Sequence, residues 1–259
     1  MITKDEIKNY SKLLQKKYRA EEKKFIAEGE KIFEEALSAG LRNELVLVTN
    51  SFAVKNESLL NQIRKQNLKV EIIKQPDFNK LSDTQTPQGI AGIFYIKNRS
   101  FEELEKKHPH VIIALERISD PGNLGTIVRN CDWFGFNYLI TGKDCAEIYN
   151  PKVIRASMGS VFHINIFEGI DLYKKTAELV DKGYEAVVSD LAGTAIGDFK
   201  PSKKTLLFFC NESSGPSYEL LQIAGRKITI PRYGRAESLN VSTASSIILN
   251  GLREKISKQ

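Results

Sequence analysis

From residue 110 onward the sequence alternates short, continuous apolar runs with segments of helical period. No other feature constrains the fold as much. The runs are HVIIALERI (110–118), NYLIT (137–141), FHINIF (162–167), EAVVSD (185–190), TLLFFC (205–210) and KITIP (227–231). A continuous apolar run such as the first needs cover on both faces, which is the situation of a strand in a parallel sheet layered with helices. Helices are expected at 122–135, from Pro151, at 171–182, at 217–224 and at 240–255. The pattern predicts an α/β domain of about six strands.

The first part reads as a smaller α/β unit. Strands are expected at ELVLVTN (44–50), KVEIIK (69–74) and IAGIFYIK (90–97), with helices near 29–39 and 56–66. Ile7, Tyr10, Leu14 and Tyr18 give residues 3–18 helical period, and Lys4, Lys8, Lys12 and Lys16 then form an i, i+4 stripe on another face. LSDTQTPQG (81–89) is turn-rich and NRSFEELEKKHPH (98–110) is polar. The domain boundary is placed there, giving domains 1–100 and 101–259.

Charge divides along the same line. Of the net +6, residues 1–100 carry +5, with 18 Lys and Arg against 13 Asp and Glu. A basic module joined to a near-neutral one suits a polyanionic partner. A solvated lysine surface accounts for the same surplus. Three cysteines, Cys131, Cys145 and Cys210, have no CxxC spacing and read as reduced thiols of a cytoplasmic protein. No apolar run approaches the roughly 18 residues of a membrane span, and the N-terminus shows no secretory h-region.

Several enzyme classes are excluded by what is missing. No two glycines are spaced GxG, so there is no Rossmann fingerprint and no glycine loop of the common methyltransferases. GxxxxGK[ST], HExxH and GxSxG are also absent, and His108, His110 and His163 lack metal spacing.

Three segments look unlike ordinary connections. DPGNLGTIVRNCDWFG (120–135) opens a helix with turn and cap residues and carries Asn123 and Arg129 within two turns. An Asn and an Arg near a strand end can hold an anion or a ribose; an N-cap Asn and a surface Arg is the plainer alternative. LLFFCNESSGPSYEL (206–220) runs a strand directly into a polar loop holding Glu212, a place for a ligand contact or a simple polar turn. ITIPRYGRAESLNVSTASSIILNGL (228–252) passes through an Arg- and Gly-containing loop to Asn240, which caps a final helix. Ser242, Thr243, Ala244, Ser245 and Ser246 in its first turns permit close approach of another backbone, from this chain or a second one.

In order and spacing these segments resemble motifs 1, 2 and 3 of the SpoU (TrmH-type) family of RNA 2′-O-ribose methyltransferases. ESLNVS (237–242) and GNLGTIVRNCDWFG are the most specific matches, and FIAEGEKIFEEAL (25–37) and DTQTPQGIAGI (83–93) resemble the family's small substrate-binding domain. The resemblance implies an N-terminal RNA-binding domain, a C-terminal SPOUT α/β domain with a trefoil knot, and S-adenosylmethionine as cofactor. Cofactor contacts would fall at Cys210, Ile230 and Leu239; the family pattern has Gly where Cys210 stands. Catalytic roles would fall on Arg129, Asn123, Glu212, Ser238 and Asn240, in a homodimer whose sites draw on both subunits. The substrate would be structured RNA, ribosomal RNA before transfer RNA. A non-catalytic RNA-binding or ribosome-assembly protein of the same fold is the alternative. No metal and no membrane partner are expected.

Overall fold

The computed structural model describes residues 2–257. They form two compact units. One comprises the residues up to Asn98 together with Tyr149–Phe162; the other comprises Arg99–Ile148 and the residues from His163 onward.

The first unit holds β1 (Lys24–Glu28), β2 (Asn43–Thr49), β3 (Val70–Ile73) and β4 (Ile90–Tyr95) in the order β1-β4-β2-β3. β4 is antiparallel to both β1 and β2, and β2 is parallel to β3. Its helices are α1 (Lys4–Ser11), α2 (Lys16–Glu22), α3 (Glu30–Ser38), α4 (Asn50–Lys55), α5 (Glu57–Lys65) and α6 (Gln75–Phe78). One core cluster joins Ile26, Leu45, Leu47 and Ile93 of the sheet to Ile7, Leu13, Phe78 and Leu81. β1 is an addition to the expected strands: its apolar core, Phe25–Ala27, is too short to show a period.

The helix expected over 3–18 is broken. α1 ends at Ser11, a 3₁₀ turn spans Lys12–Leu14, and Gln15 is extended before α2 begins. The cause is packing. Leu13 and Arg19 are each 2% exposed, and the Arg19 guanidinium donates to the Leu13 carbonyl at 2.7 Å. Lys4, Lys8, Lys12 and Lys16 therefore do not form one helical stripe.

The second unit holds β5 (Val111–Glu116), β6 (Tyr138–Gly142), β7 (Asn165–Ile170), β8 (Glu185–Ala195), β9 (Thr205–Cys210) and β10 (Arg226–Thr229) in a sheet of order β10-β8-β9-β5-β6-β7. Every pair is parallel, as the continuous apolar runs require. Its helices are α7 (Phe101–Lys107), α8 (Pro121–Trp133), α10 (Leu172–Asp181), α11 (Tyr218–Ile223) and α12 (Val241–Ile256), while α9 (Pro151–Ala156) belongs to the first unit. Two stretches differ from a linear cut at residue 100. The polar stretch at 98–110 contains α7, closed by a Ser100–Glu103 capping box, and its Phe101 and Leu104 join the core of the second unit. Residues 149–162 pack with the first unit because Tyr149 and Phe162 lie 4.6 and 5.6 Å from the Phe25 ring. β7 accordingly starts at Asn165, later than FHINIF suggests.

β5 and β9 are central neighbours: β6 and β7 follow β5 outward on one side, while β8 and β10 lie beyond β9 on the other. The crevice at the carboxyl ends of such strands is where α/β sheets bind ligands. β8 is reshaped there. Lys227 pairs with Val188 and Ile228 already pairs with Thr194, so the intervening residues of β8 bulge out. Gly193 makes this possible, since a Cβ there would lie 2.7 Å from the Lys227 carbonyl carbon. Gly193→Ala is expected to push β8 and β10 apart and to lower stability by about 1–3 kcal/mol. Denaturant unfolding measures this, and an unchanged midpoint would show that the strands have room to yield.

Candidate active site

The site begins with how α8 starts. Asp120, not Asn123, is its N-cap: the Asp120 carboxylate accepts the Asn123 N–H at 2.8 Å, and Pro121 takes the first helical position, where no N–H is needed. The Asn123 side chain is thereby released from capping and turns to Glu212, donating from Nδ2 to Oε1 at 2.8 Å.

Asn240 does cap its helix. Its Oδ1 accepts the Ser242 N–H at 2.9 Å, and its Nδ2 donates to Asn123 Oδ1 at 3.0 Å and to Glu212 Oε1 at 2.9 Å. The Val241 N–H reaches the same Glu212 oxygen at 3.0 Å. One carboxylate oxygen thus gathers donors from the start of α8 and the start of α12, while Glu212 itself belongs to the loop after β9. Segments more than a hundred residues apart in sequence meet there, with the negative charge at the N-termini of two helices, where their dipoles favour it. The two helices are also bound along their length. Asn130 Nδ2 donates to the Ser242 carbonyl and to Ser245 Oγ, each at 2.9 Å. Arg253 donates to the Phe134 and Gly135 carbonyls at 2.6 and 2.7 Å, capping the C-terminus of α8. The small residues of α12 therefore serve at least this contact within the chain, and Ser245 is fully buried in it.

Beside the triad lies a cavity of about 860 Å³ at the carboxyl ends of β8, β9 and β10, lined by Cys210, Glu212, Ile230, Ser238 and Leu239 among others. Its volume suits a cofactor-sized ligand. Cys210 is only 7% exposed, and its side chain belongs to the core cluster with Leu206, Phe208, Leu172 and Leu220. The atoms a Gly would lack are thus accommodated in the core cluster beside the cavity that Cys210 lines. Burial, with Glu116 alongside, pushes the Cys210 thiol up, so it stays protonated and inert.

Arg129 stands apart. It lies on the exposed side of α8, does not line the cavity, and makes no hydrogen bond or ion pair among the described residues. Asn123 and Arg129 differ by six positions, which points them about 120° apart around a helix. Within one chain the structure joins Asn123, Glu212 and Asn240, places Ser238, Cys210, Ile230 and Leu239 around the adjacent cavity, and leaves Arg129 outside both.

Glu116 is the residue that the sequence conceals. It ends an apolar run, where a carboxylate looks like a strand terminus, yet it is 2% exposed. Ser217 donates to it from Oγ at 2.5 Å and from N–H at 3.0 Å, and Tyr173 donates from Oη at 3.0 Å. Asn211 completes the loop, its Oδ1 accepting the Ser213 and Ser214 N–H groups at 2.9 and 3.2 Å. Glu116 and Asn211 thereby hold the two ends of the loop that presents Glu212. Burial alone would raise the Glu116 carboxyl; hydrogen bonds from Ser217 and Tyr173, with the Arg117 charge, outweigh it and hold the group below its ordinary value.

Comparison with known proteins agrees with this geometry. Parallel sheet, carboxyl-end cavity and three-segment site define an α/β enzyme domain that binds its ligand through loops rather than a glycine fingerprint. The SpoU rRNA Methylase family matches residues 110–250, and an MRM3-like substrate binding domain matches residues 4–92. The chain belongs to the SpoU rRNA methylase family. It is 30% identical over 249 residues, 95% of each chain, to the 23S rRNA (guanosine(2553)-2′-O)-methyltransferase RlmP of Bacillus subtilis. An AdoMet-bound rRNA methyltransferase from Sinorhizobium meliloti superposes with a TM-score of 0.83 at 29% identity, covering 96% of this chain and 94% of that one. A TrmH-family protein from Porphyromonas gingivalis gives 0.84 at 26%, covering 98% and 99%.

Glu116→Gln is expected to lower stability at neutral pH by about 1.5–3 kcal/mol, the worth of a hydrogen bond to a charged group. A carboxyl depressed by folding contributes stability above its unfolded value and loses it as pH falls through the folded value. Acidification from about pH 6 to about pH 3 should therefore cost the variant less than the wild type. Denaturant unfolding at each pH measures this; equal acid sensitivity would contradict the depressed carboxyl.

Proposed function

We propose that this protein transfers a methyl group from S-adenosylmethionine to a ribose 2′-hydroxyl of structured RNA, with ribosomal RNA the substrate. The observation that carries this reading is the Asn123–Glu212–Asn240 junction beside a cofactor-sized cavity, in a chain of the SpoU family.

The cavity fits the cofactor: its lining joins the apolar Ile230 and Leu239 to polar residues such as Glu212 and Ser238. When bound there, S-adenosylmethionine supplies an already activated methyl group. The protein's part is to align the hydroxyl and manage its proton. Glu212 fixes the three segments, Asn123 and Asn240 orient its carboxylate, and Ser238 shapes the loop before α12. A guanidinium keeps its proton throughout the physiological range, so Arg129 acts by holding the ribose or its phosphate and by stabilising negative charge on the attacking oxygen.

We further propose a homodimer in which Arg129 completes the site of the second subunit. Its exposure and its lack of a partner among the described residues support this. So do Trp133 one turn further along α8 and Ile247 on α12, which are 79% and 39% exposed. The trefoil knot is likewise our reading, supported by the match to the SpoU family over residues 110–250. The first unit, basic and matched by a substrate-binding family, would bring the RNA through phosphate contacts. We propose a cytoplasmic location, which the similarity to a Bacillus subtilis rRNA methyltransferase supports; among the described residues no helix is long and apolar enough to cross a membrane.

Arg129→Ala is expected to lower RNA methylation at least tenfold while leaving folding and cofactor affinity intact. Radiolabelled methyl incorporation and calorimetry together check this. Wild-type activity in the variant would remove Arg129 from the mechanism. Absence of cofactor binding by the wild type would favour a non-catalytic RNA-binding role.

A further inference from the structure

The stretch from Pro231 to Asn240 links β10 to α12, lines the cavity and is exposed at every position. Tyr233 sits on it with 96% of its surface in solvent, the most exposed of the large hydrophobic side chains among the described residues. Its ring makes no contact with another aromatic ring or a cation among the described residues, although Arg232 and Arg235 flank it. Among the described residues Arg232 is occupied only by a long 3.4 Å bond to the Ala236 carbonyl within the same loop.

This loop is not a loose surface turn. β10 holds it at one end, and the Asn240–Glu212–Asn123 junction clamps it at the other. An aromatic ring on a loop anchored at both ends, at the mouth of a cavity, gains nothing for folding by standing in water. The arrangement has the composition of a single-strand nucleic-acid contact: a π-face for a base, with cations on either side for the phosphates.

Building on the proposed RNA methylation, we propose that Tyr233 stacks on an unpaired nucleobase at or next to the methylated nucleotide, with Arg232 and Arg235 holding the flanking phosphates. The target ribose is then presented in a single-stranded loop or bulge rather than within a duplex, where both faces of a base are covered by its stacked neighbours. Stacking is indifferent to base identity, so Tyr233 contributes affinity and strandedness, not sequence.

Tyr233→Ala, Tyr233→Phe and Tyr233→Trp separate this role from others. The ring, not the hydroxyl, makes the stack. Tyr233→Ala should raise the KM for RNA about tenfold with S-adenosylmethionine affinity within twofold of wild type, and Phe and Trp should restore it. Arg232→Ala and Arg235→Ala should each reduce the salt dependence of RNA binding. Three results would overturn the proposal: an unchanged KM in Tyr233→Ala, an equal loss of cofactor affinity, which would make the ring a cofactor wall, or a shift in oligomeric state by light scattering, which would make it a subunit contact. Failure of the wild type itself to methylate RNA would instead remove the underlying functional reading.

Discussion

The second unit depends on one carboxylate oxygen. Glu212 Oε1 takes hydrogen bonds from Asn123, Asn240 and the Val241 N–H, all between 2.8 and 3.0 Å. Without it, the loop after β9 would lose its tie to the starts of α8 and α12, which Asn240 and Asn123 join directly. With it, they form one rigid corner of the cavity. A charged acceptor suits this role, since bonds to ionised groups are shorter and stronger than neutral ones. Here it also meets the positive ends of two helices.

The corner is held by more remote contacts as well. Glu116 and Asn211 fix the ends of the loop that carries Glu212. Asn130 and Arg253 bind α8 to α12 along their length, so the two helix starts keep their separation. Gly193 lets β8 approach β10 closely enough for β8 to bulge toward the cavity. Precise placement in this protein comes from side chains that bond to distant backbone, and not from loop rigidity alone.

Much of this was legible in the sequence. The apolar runs gave every strand of the second sheet, with TLLFFC matching β9 residue for residue, because a continuously apolar strand has no other stable surroundings. The three polar segments were visible because each broke the expected αβ pattern with residues that fit poorly in plain turns. What stayed hidden were choices made by packing. Asp120 took the cap that Asn123 was equally able to supply. Arg19 and Leu13 broke a helix whose spacing read as continuous. Residues 149–162 joined the first unit through aromatic contacts with Phe25, a residue more than a hundred positions away. Glu116 ended an apolar run, and nothing local marks a carboxylate as buried. Arg129 and Asn123 lie within two turns of one motif, yet the helix points them in different directions.

The central claim is that Glu212 holds the cofactor cavity in shape. Isothermal titration of S-adenosylmethionine into the wild-type protein and into Glu212→Gln tests it most directly, because the substitution keeps the side chain's size and removes only its charge and one acceptor. Micromolar binding by the wild type and at least a tenfold loss in the variant are expected, with the melting temperature lowered by the weakened hydrogen bonds but a single cooperative transition retained. Equal affinity in the two proteins would contradict it.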